Sequence, residues 1–338
     1  MKKLIKNTVK FILFPLAGIV LFYFVYKDFN FREDILNKLK DVNYWWFLLA
    51  FIVCILCQAS RAIRWQYLLE ADGEKVGFKN TFLSILNCYF VNIAVPRMGE
   101  VTRCAIISRY EKQKLSKVLG TMVTERLIDA LCLALLFIIV FFLQSTTIIN
   151  SIFDKTAIIE KFSWLLSTKM IITIIFILLS LLILSYLTVK GKFDKIKIFQ
   201  RISIFIRNLW LGIISIMKTK KLFGFIFHSL LIWICYILMF YFFFLAFEDI
   251  SKLGFLISLT VFLASALAML FPAPGGIGAF HFMVTNALGF FLIAEGLASE
   301  EALANAAAFA FIAHAMQTLY IVVGGIFSFI AIPLVNKK

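Results

Sequence analysis

Arg97, Glu100 and Arg103 follow one another at three-residue spacing within Asn92-Ile93-Ala94-Val95-Pro96-Arg97-Met98-Gly99-Glu100-Val101-Thr102-Arg103. On a helix they share roughly one face. Pro96 cannot continue the apolar helix before it, but it suits the first turn of a new one. That new helix would open with free backbone N–H groups and a positive dipole end beside Arg97, an arrangement that favours an anion. A second charged set, Glu125, Arg126 and Asp129, interrupts the apolar run from Val118 to Leu143. At 1.5 Å per residue Asp129 sits about 16 Å along that run, near the middle of an apolar layer about 30 Å thick. A carboxylate there costs about 2.5 to 3.5 kcal/mol, a penalty relieved by an ionic partner or a wet cavity. Arg126 and Asp129 lie one turn apart, so a structural ion pair is the plain alternative to a lined cavity. The six charges balance, Arg97, Arg103 and Arg126 against Glu100, Glu125 and Asp129. A simple anion trap is therefore not expected unless a carboxylate takes up a proton.

A second break, Phe271-Pro272-Ala273-Pro274-Gly275-Gly276-Ile277-Gly278-Ala279-Phe280-His281, comes late in the chain, with Pro274 lying 178 residues after Pro96. Paired Pro/Gly breaks in two halves of a membrane protein point to a transport site at a repeat interface. The competing reading is a pair of helix-breaking turns at the membrane surface. Gly275, Gly276 and Gly278 form no nucleotide fingerprint, because no strand precedes them and the GxGxxG pattern is incomplete. His281 adjoins the break, and its ring could change charge near neutral pH. Asn286, His314 and Gln317 are further polar groups in the C-terminal spans, of a kind that often joins helices without binding anything.

The elements that must position these residues follow from composition. Of 338 residues 62% are apolar and 16% charged, and Phe alone supplies 39, whereas a soluble domain is roughly half apolar and about a quarter charged. The apolar residues come in long runs, so the chain reads as an all-α, polytopic transmembrane helical bundle forming a single domain over residues 1–338. The runs are about Phe11 to Tyr26, Tyr44 to Gln58, Phe78 to Val95, Val118 to Leu143, Met170 to Val189, Leu222 to Phe247, Leu253 to Phe271, Gly276 to Ile293 and Ala302 to Val335. The first follows Lys2, Lys3, Lys6 and Lys10 but has no small-residue cleavage site before Lys27, so it reads as a retained span. The net charge of +15 suits cytoplasmic loops and implies no nucleic-acid partner.

The segment from Lys190 to Lys221 carries nine basic residues against Asp194, which places it in the cytoplasm. Its Ile198, Ile202, Phe205, Leu209 and Ile213 recur at helical spacing and suggest an interfacial helix. Glu248, Asp249, Glu295, Glu300 and Glu301 dominate two short loops expected outside, as is the balanced loop around Asp154 to Lys161. With both termini inside, Phe78 to Tyr110 and Leu253 to Ile293 must each enter and leave on one side, as two broken hairpins of inverted orientation. The six cysteines lie in or beside apolar runs and read as packing residues, including the Cys54 and Cys57 pair. No metal site, cofactor or catalytic nucleophile is expected.

The order of Pro-Arg-x-Gly-Glu-x-x-Arg, then Glu-Arg-x-x-Asp, then Pro-Gly-Gly-x-Gly resembles the flippase-like domain family, the transmembrane domain of lysylphosphatidylglycerol synthases and its stand-alone relatives. The resemblance covers about Trp45 to Phe327. Pro96, Arg97, Gly99, Glu100 and Arg103 match the first motif, Glu125, Arg126 and Asp129 the second, and Pro274, Gly275, Gly276 and Gly278 the third. It implies a multi-pass protein of the inner (cytoplasmic) membrane related to a lipid-translocating domain. Where the family often has an acid three residues after the last glycine, this chain has His281. No aminoacyl-transferase segment follows Lys338, so lipid aminoacylation by the chain itself is not expected.

The expected function is therefore translocation of an anionic phospholipid or lipid-linked carrier. The expected substrate-binding residues are Arg97, Gly99, Glu100, Arg103, Glu125, Arg126, Asp129, Pro274, Gly275, Gly276, Gly278 and His281. The alternatives are a non-transporting scaffold or regulator that binds a lipid or a partner synthase, and an intramembrane enzyme, for which no nucleophile or metal-ligand spacing is found. Broken backbone and charge cannot face hydrocarbon unsatisfied. The two breaks and the Glu125 to Asp129 turn are thus expected to converge on one polar pocket.

Overall fold

A computed structural model describes residues 15–29, 37–71, 74–153 and 221–337. The expected span from Met170 to Val189, nearly all of the basic segment from Lys190 to Lys221 and the loop from Asp154 to Lys161 lie outside the described residues. The regular elements among the described residues are all helical, in keeping with the all-α expectation. In chain order they are α1 (Pro15–Tyr26), a 3-10 turn (Asn37–Asp41), α2 (Tyr44–Leu69), α3 (Phe78–Ala94), α4 (Met98–Tyr110), α5 (Leu115–Phe153), α6 (Leu222–Leu245), α7 (Glu248–Ser251), α8 (Gly254–Ala268), a 3-10 turn (Pro274–Gly276), α9 (Ala279–Ala294) and α10 (Ser299–Val335). Five of these stretches are long and apolar enough to cross a membrane, at Tyr44–Leu69, Leu115–Gln144, Leu222–Leu245, Pro274–Ala294 and Ser299–Val335. Rows of exposed apolar residues, such as Ile138, Phe142, Phe327 and Phe329, are what a bundle solvated by acyl chains presents.

The chain divides into two compact units, one of Met1–Met122 with Phe223–Lys338, the other Val123–Leu222. Within the first, α2 and α6 run antiparallel from the Asn43 N–H bond to the Ala246 carbonyl at one end (2.9 Å) to Ser60 against His228 Nδ1 (2.8 Å) further along. The small residues Ala302, Ala306, Ala307, Ala308 and Ala310 of α10 are all buried. They let neighbouring backbones approach closely, and Tyr26 of α1 donates to the Ala307 carbonyl (3.1 Å).

Two hairpins open toward opposite ends of this unit. The base of α3–α4 is closed by Glu111, whose carboxylate accepts from the Gly77 amide (2.9 Å) and the Asn80 side chain (2.6 Å). Asn80 also exchanges hydrogen bonds with Asn336 at the end of α10 (2.8 and 3.1 Å). The α8–α9 hairpin has its base at the other end, where α9 runs alongside the start of α10 and a side chain on Gly289 would press on Leu303. With 17 residues in α3, 13 in α4 and 15 in α8, these three arms are about 20 to 25 Å long. That is short of a full crossing and long enough to carry the breaks deep into the apolar layer.

Candidate functional site

The tips of the two hairpins meet. A Cβ added to Gly275 would lie 3.9 Å from Ile93 Cα, on the last turn of α3. The two breaks expected to adjoin therefore do so within the first unit.

At the first tip α3 ends because Pro96 brings no N–H to its ladder. Val95 closes the helix by donating to Val91 (2.9 Å), and the Met98 N–H returns to Val95 (3.2 Å). Between them Arg97 takes the left-handed conformation, φ 66° and ψ −2°, which for a residue with a Cβ costs about 1–2 kcal/mol. Its side chain is exposed, while Gly99 is buried. Gly99 has to be glycine, since a Cβ there would overlap the Cys88 carbonyl. Its N–H donates to Asn92 Oδ1 on the opposite arm (2.8 Å).

Arg103, two turns into α4, is 1% exposed, and its guanidinium stacks over the indole of Trp65 at 4.5 Å from the ring centroid. Trp65 is in turn fixed by an Nε1–H bond to Thr121 (3.0 Å). Arg61 and Arg64 join it in the interior, 3% and 0% exposed. Arg61 donates to Tyr236 (2.7 Å) and to Tyr89, and Arg64 to Ser229 (3.5 Å). These two arginines were not among the sequence-derived candidates. The reason is a boundary: the apolar run of α2 stops at Gln58, but the helix continues to Leu69. An Arg-x-x-Arg pair one turn beyond an apolar run was the available signal, because intramembrane cations face the bundle interior.

The second tip is built from glycine. Gly275, Gly276 and Gly278 all have positive φ, at 58°, 79° and 81°, and a Cβ on Gly278 would overlap the Gly18 carbonyl of α1. His314 of α10 donates through Nε2–H to the Gly275 carbonyl (2.9 Å). His281 accepts the Gly278 N–H at Nδ1 (3.3 Å), the return half of a capping box, where Glu or Gln is the usual residue. Its ring lies edge-on to Phe22 and Tyr26 (centroids 5.0 and 5.6 Å) and 4.6 Å from the His314 ring.

The third charged group lies on one turn of α5, with Glu125 buried, Asp129 half-buried and Arg126 exposed. These residues belong to the second compact unit. Of the sequence-derived candidates, the first unit thus brings together Arg97, Gly99, Glu100 and Arg103 on one hairpin and Pro274, Gly275, Gly276, Gly278 and His281 on the other.

Opposed broken hairpins that touch tip to tip inside a bundle of apolar helices define a polytopic helical membrane protein. The profile of the lysylphosphatidylglycerol synthase transmembrane region matches residues 8–324, and the chain belongs to that family. It is also 32% identical over 100 residues to a UPF0104 membrane protein of Methanocaldococcus jannaschii, a match covering 29% of this chain and 30% of that one. No solved structure matches the chain.

Proposed function

We propose that this protein moves an anionic lipid, a phospholipid or a lipid-linked carrier, across the inner (cytoplasmic) membrane, and that it does so as a translocator without making or breaking bonds in the lipid. The observation that carries this reading is the contact between the two tips, Gly275 against Ile93. Breaks in paired helices are where transporters place substrate, because unwound backbone is tolerated only beside protein or water. Arg97 offers an exposed guanidinium there, and guanidinium matches phosphate in geometry as well as charge. On the same hairpin Arg103 supplies a further cation and Glu100 holds it in place or accepts protons; within α5 Arg126 supplies a cation, and Glu125 and Asp129 play the same part there. The acyl chains stay in lipid throughout.

The test is reconstitution of the purified protein in liposomes with a fluorescent anionic phospholipid or polyprenyl phosphate, reading accessibility from each leaflet. Acceleration is expected, and Arg126→Leu should abolish it at modest expression, since removing a cation strands the carboxylates beside it on the helix. No acceleration with any such lipid overturns the reading in favour of a binding scaffold. On this reading both termini face the cytoplasm. Cysteines introduced at Lys195 and Ser299 should then label from opposite sides.

A further inference from the structure

We propose that Asn92 and His281 are the positioning residues of the two tips, each holding its tip closed as a neutral acceptor for a glycine N–H. This rests on the translocation reading, because what the tips position is the Arg97 guanidinium on one side and the Gly275–Gly278 backbone on the other.

Both tips solve the same problem. A helix that begins at a break has backbone donors with no intrahelical partner, and water does not supply one in an apolar layer. At the first tip the Gly99 N–H is taken by Asn92 Oδ1 (2.8 Å), reaching across from α3 to α4. At the second the Gly278 N–H is taken by His281 Nδ1 (3.3 Å), reaching back along α9. The donors are glycines that touch other backbone, Gly99 at Cys88 and Gly278 at Gly18. Losing either acceptor frees an amide at a point where the chain cannot shift by a little. The tip must open, and Arg97 or Gly275 moves with it.

The second acceptor works in one protonation state. His281 needs its Nδ1 lone pair for Gly278, so its proton sits on Nε2. An imidazolium would set one N–H against another at the positive end of the α9 dipole. Among the described residues, the rings packed against it are the titratable Tyr26 from α1 and His314 from α10, with Phe22, Phe280 and Phe311. No carboxylate is among these neighbours, and His314 uses its own proton on the Gly275 carbonyl. His281 is therefore a fixed acceptor and not a proton carrier.

The experiment measures movement of a fluorescent phosphatidylglycerol in vesicles of phosphatidylglycerol and phosphatidylcholine, from pH 5.5 to 8.5. Alongside it run phosphatidylglycerol retention by native mass spectrometry and hydrogen exchange over residues 92–100 and 274–282, all on the full chain. Asn92→Leu and His281→Leu should slow transport at least tenfold and raise exchange at their own tip alone. His281→Gln, which supplies the usual capping-box acceptor, should stay within about twofold of wild type with a superimposable pH profile. A pH limb present in wild type and lost in His281→Gln overturns the proposal, as does unchanged exchange in Asn92→Leu. Asn92→Leu and Arg97→Asn should combine to no more than Arg97→Asn alone, since Asn92 acts through Arg97; full additivity overturns it. Should wild type move no lipid, the translocation reading falls by itself, and exchange and retention still decide whether these residues set the tips.

Discussion

The two tips turn the chain in nearly the same way with different residues. After Pro96 the backbone passes through φ 66°, ψ −2° at Arg97, and after Pro274 through φ 58°, ψ 7° at Gly275. At the second tip the left-handed residue is the one that tolerates it without strain. At the first it is an arginine, which holds the conformation at a cost of about 1–2 kcal/mol. Backbone strain of this kind persists where the surroundings over-determine it and clusters at functional positions. The pair teaches that the geometry belongs to the hairpin turn, whereas the side chain is a choice. The glycine tip is used for close approach, to Gly18, Ile93 and His314. The arginine tip presents a charge.

The comparison can be broken most severely at the close approaches. Gly278→Ala combines a left-handed alanine with overlap on the Gly18 carbonyl, and should destabilise by roughly 3–5 kcal/mol. In detergent that is read as a thermal midpoint lowered by roughly 6–15 °C. Gly99→Ala, which meets the Cys88 carbonyl at ordinary φ, should cost less, roughly 1–3 kcal/mol. If both are silent, the tips do not pack backbone to backbone.

Exchanging the residue at the turn sharpens the contrast. Arg97→Gly should stabilise the protein by about 0.5–1 kcal/mol, the relieved strain less the added freedom of the unfolded chain, while lowering lipid movement at least tenfold. Gly275→Ala has room for its Cβ and should lose only about 1 kcal/mol. A loss of both stability and activity in Arg97→Gly would mean that the side chain holds the fold and is not retained for substrate.

The smallest effect lies away from both tips, in the short helix α7 that precedes α8. Lys252 donates to Asp249 (2.9 Å) and holds that carboxyl below the usual carboxylate range, with the charge of Lys252 adding to the same direction. A lowered pKa contributes stability in full at neutral pH, and the contribution is lost as pH falls through the lowered value. For an exposed pair Asp249→Asn should shift the thermal midpoint by less than about 1 °C at neutral pH and by nothing in strong acid.

Much of the architecture was legible because the bilayer leaves so few options. Long apolar runs must be helices, and Pro96 and Pro272 to Gly278 must break them. The motif residues of both hairpins were found for that reason, and their opposed entry followed from counting charges in the loops. Arg61 and Arg64 escaped because hydropathy marks where a helix meets lipid and says nothing of where it ends inside protein. His281 was legible as a polar group, but not as a cap, since a histidine is not the usual residue at that place in a capping box. The acid that the resemblance led one to expect there has, in this chain, a replacement that keeps the acceptor and drops the charge.

By itself the sequence determined that this is a helical membrane protein, where its helices break, and which charged residues lie within apolar runs, because each of these is set by local composition against a uniform apolar solvent. Only the tertiary structure decided that the two tips touch, that Arg97 is the strained and exposed residue of its hairpin, that Arg103 lies on Trp65, and that Asn92 and His281 satisfy the amides of Gly99 and Gly278. The contact between the tips and that of Arg103 with Trp65 join residues far apart in the chain, while those of Asn92 with Gly99 and of His281 with Gly278 span seven and three residues and depend on how the chain turns at each break. They follow from the packing of α1, α3 and α10 around the breaks, where each unpaired donor takes the nearest acceptor the fold supplies.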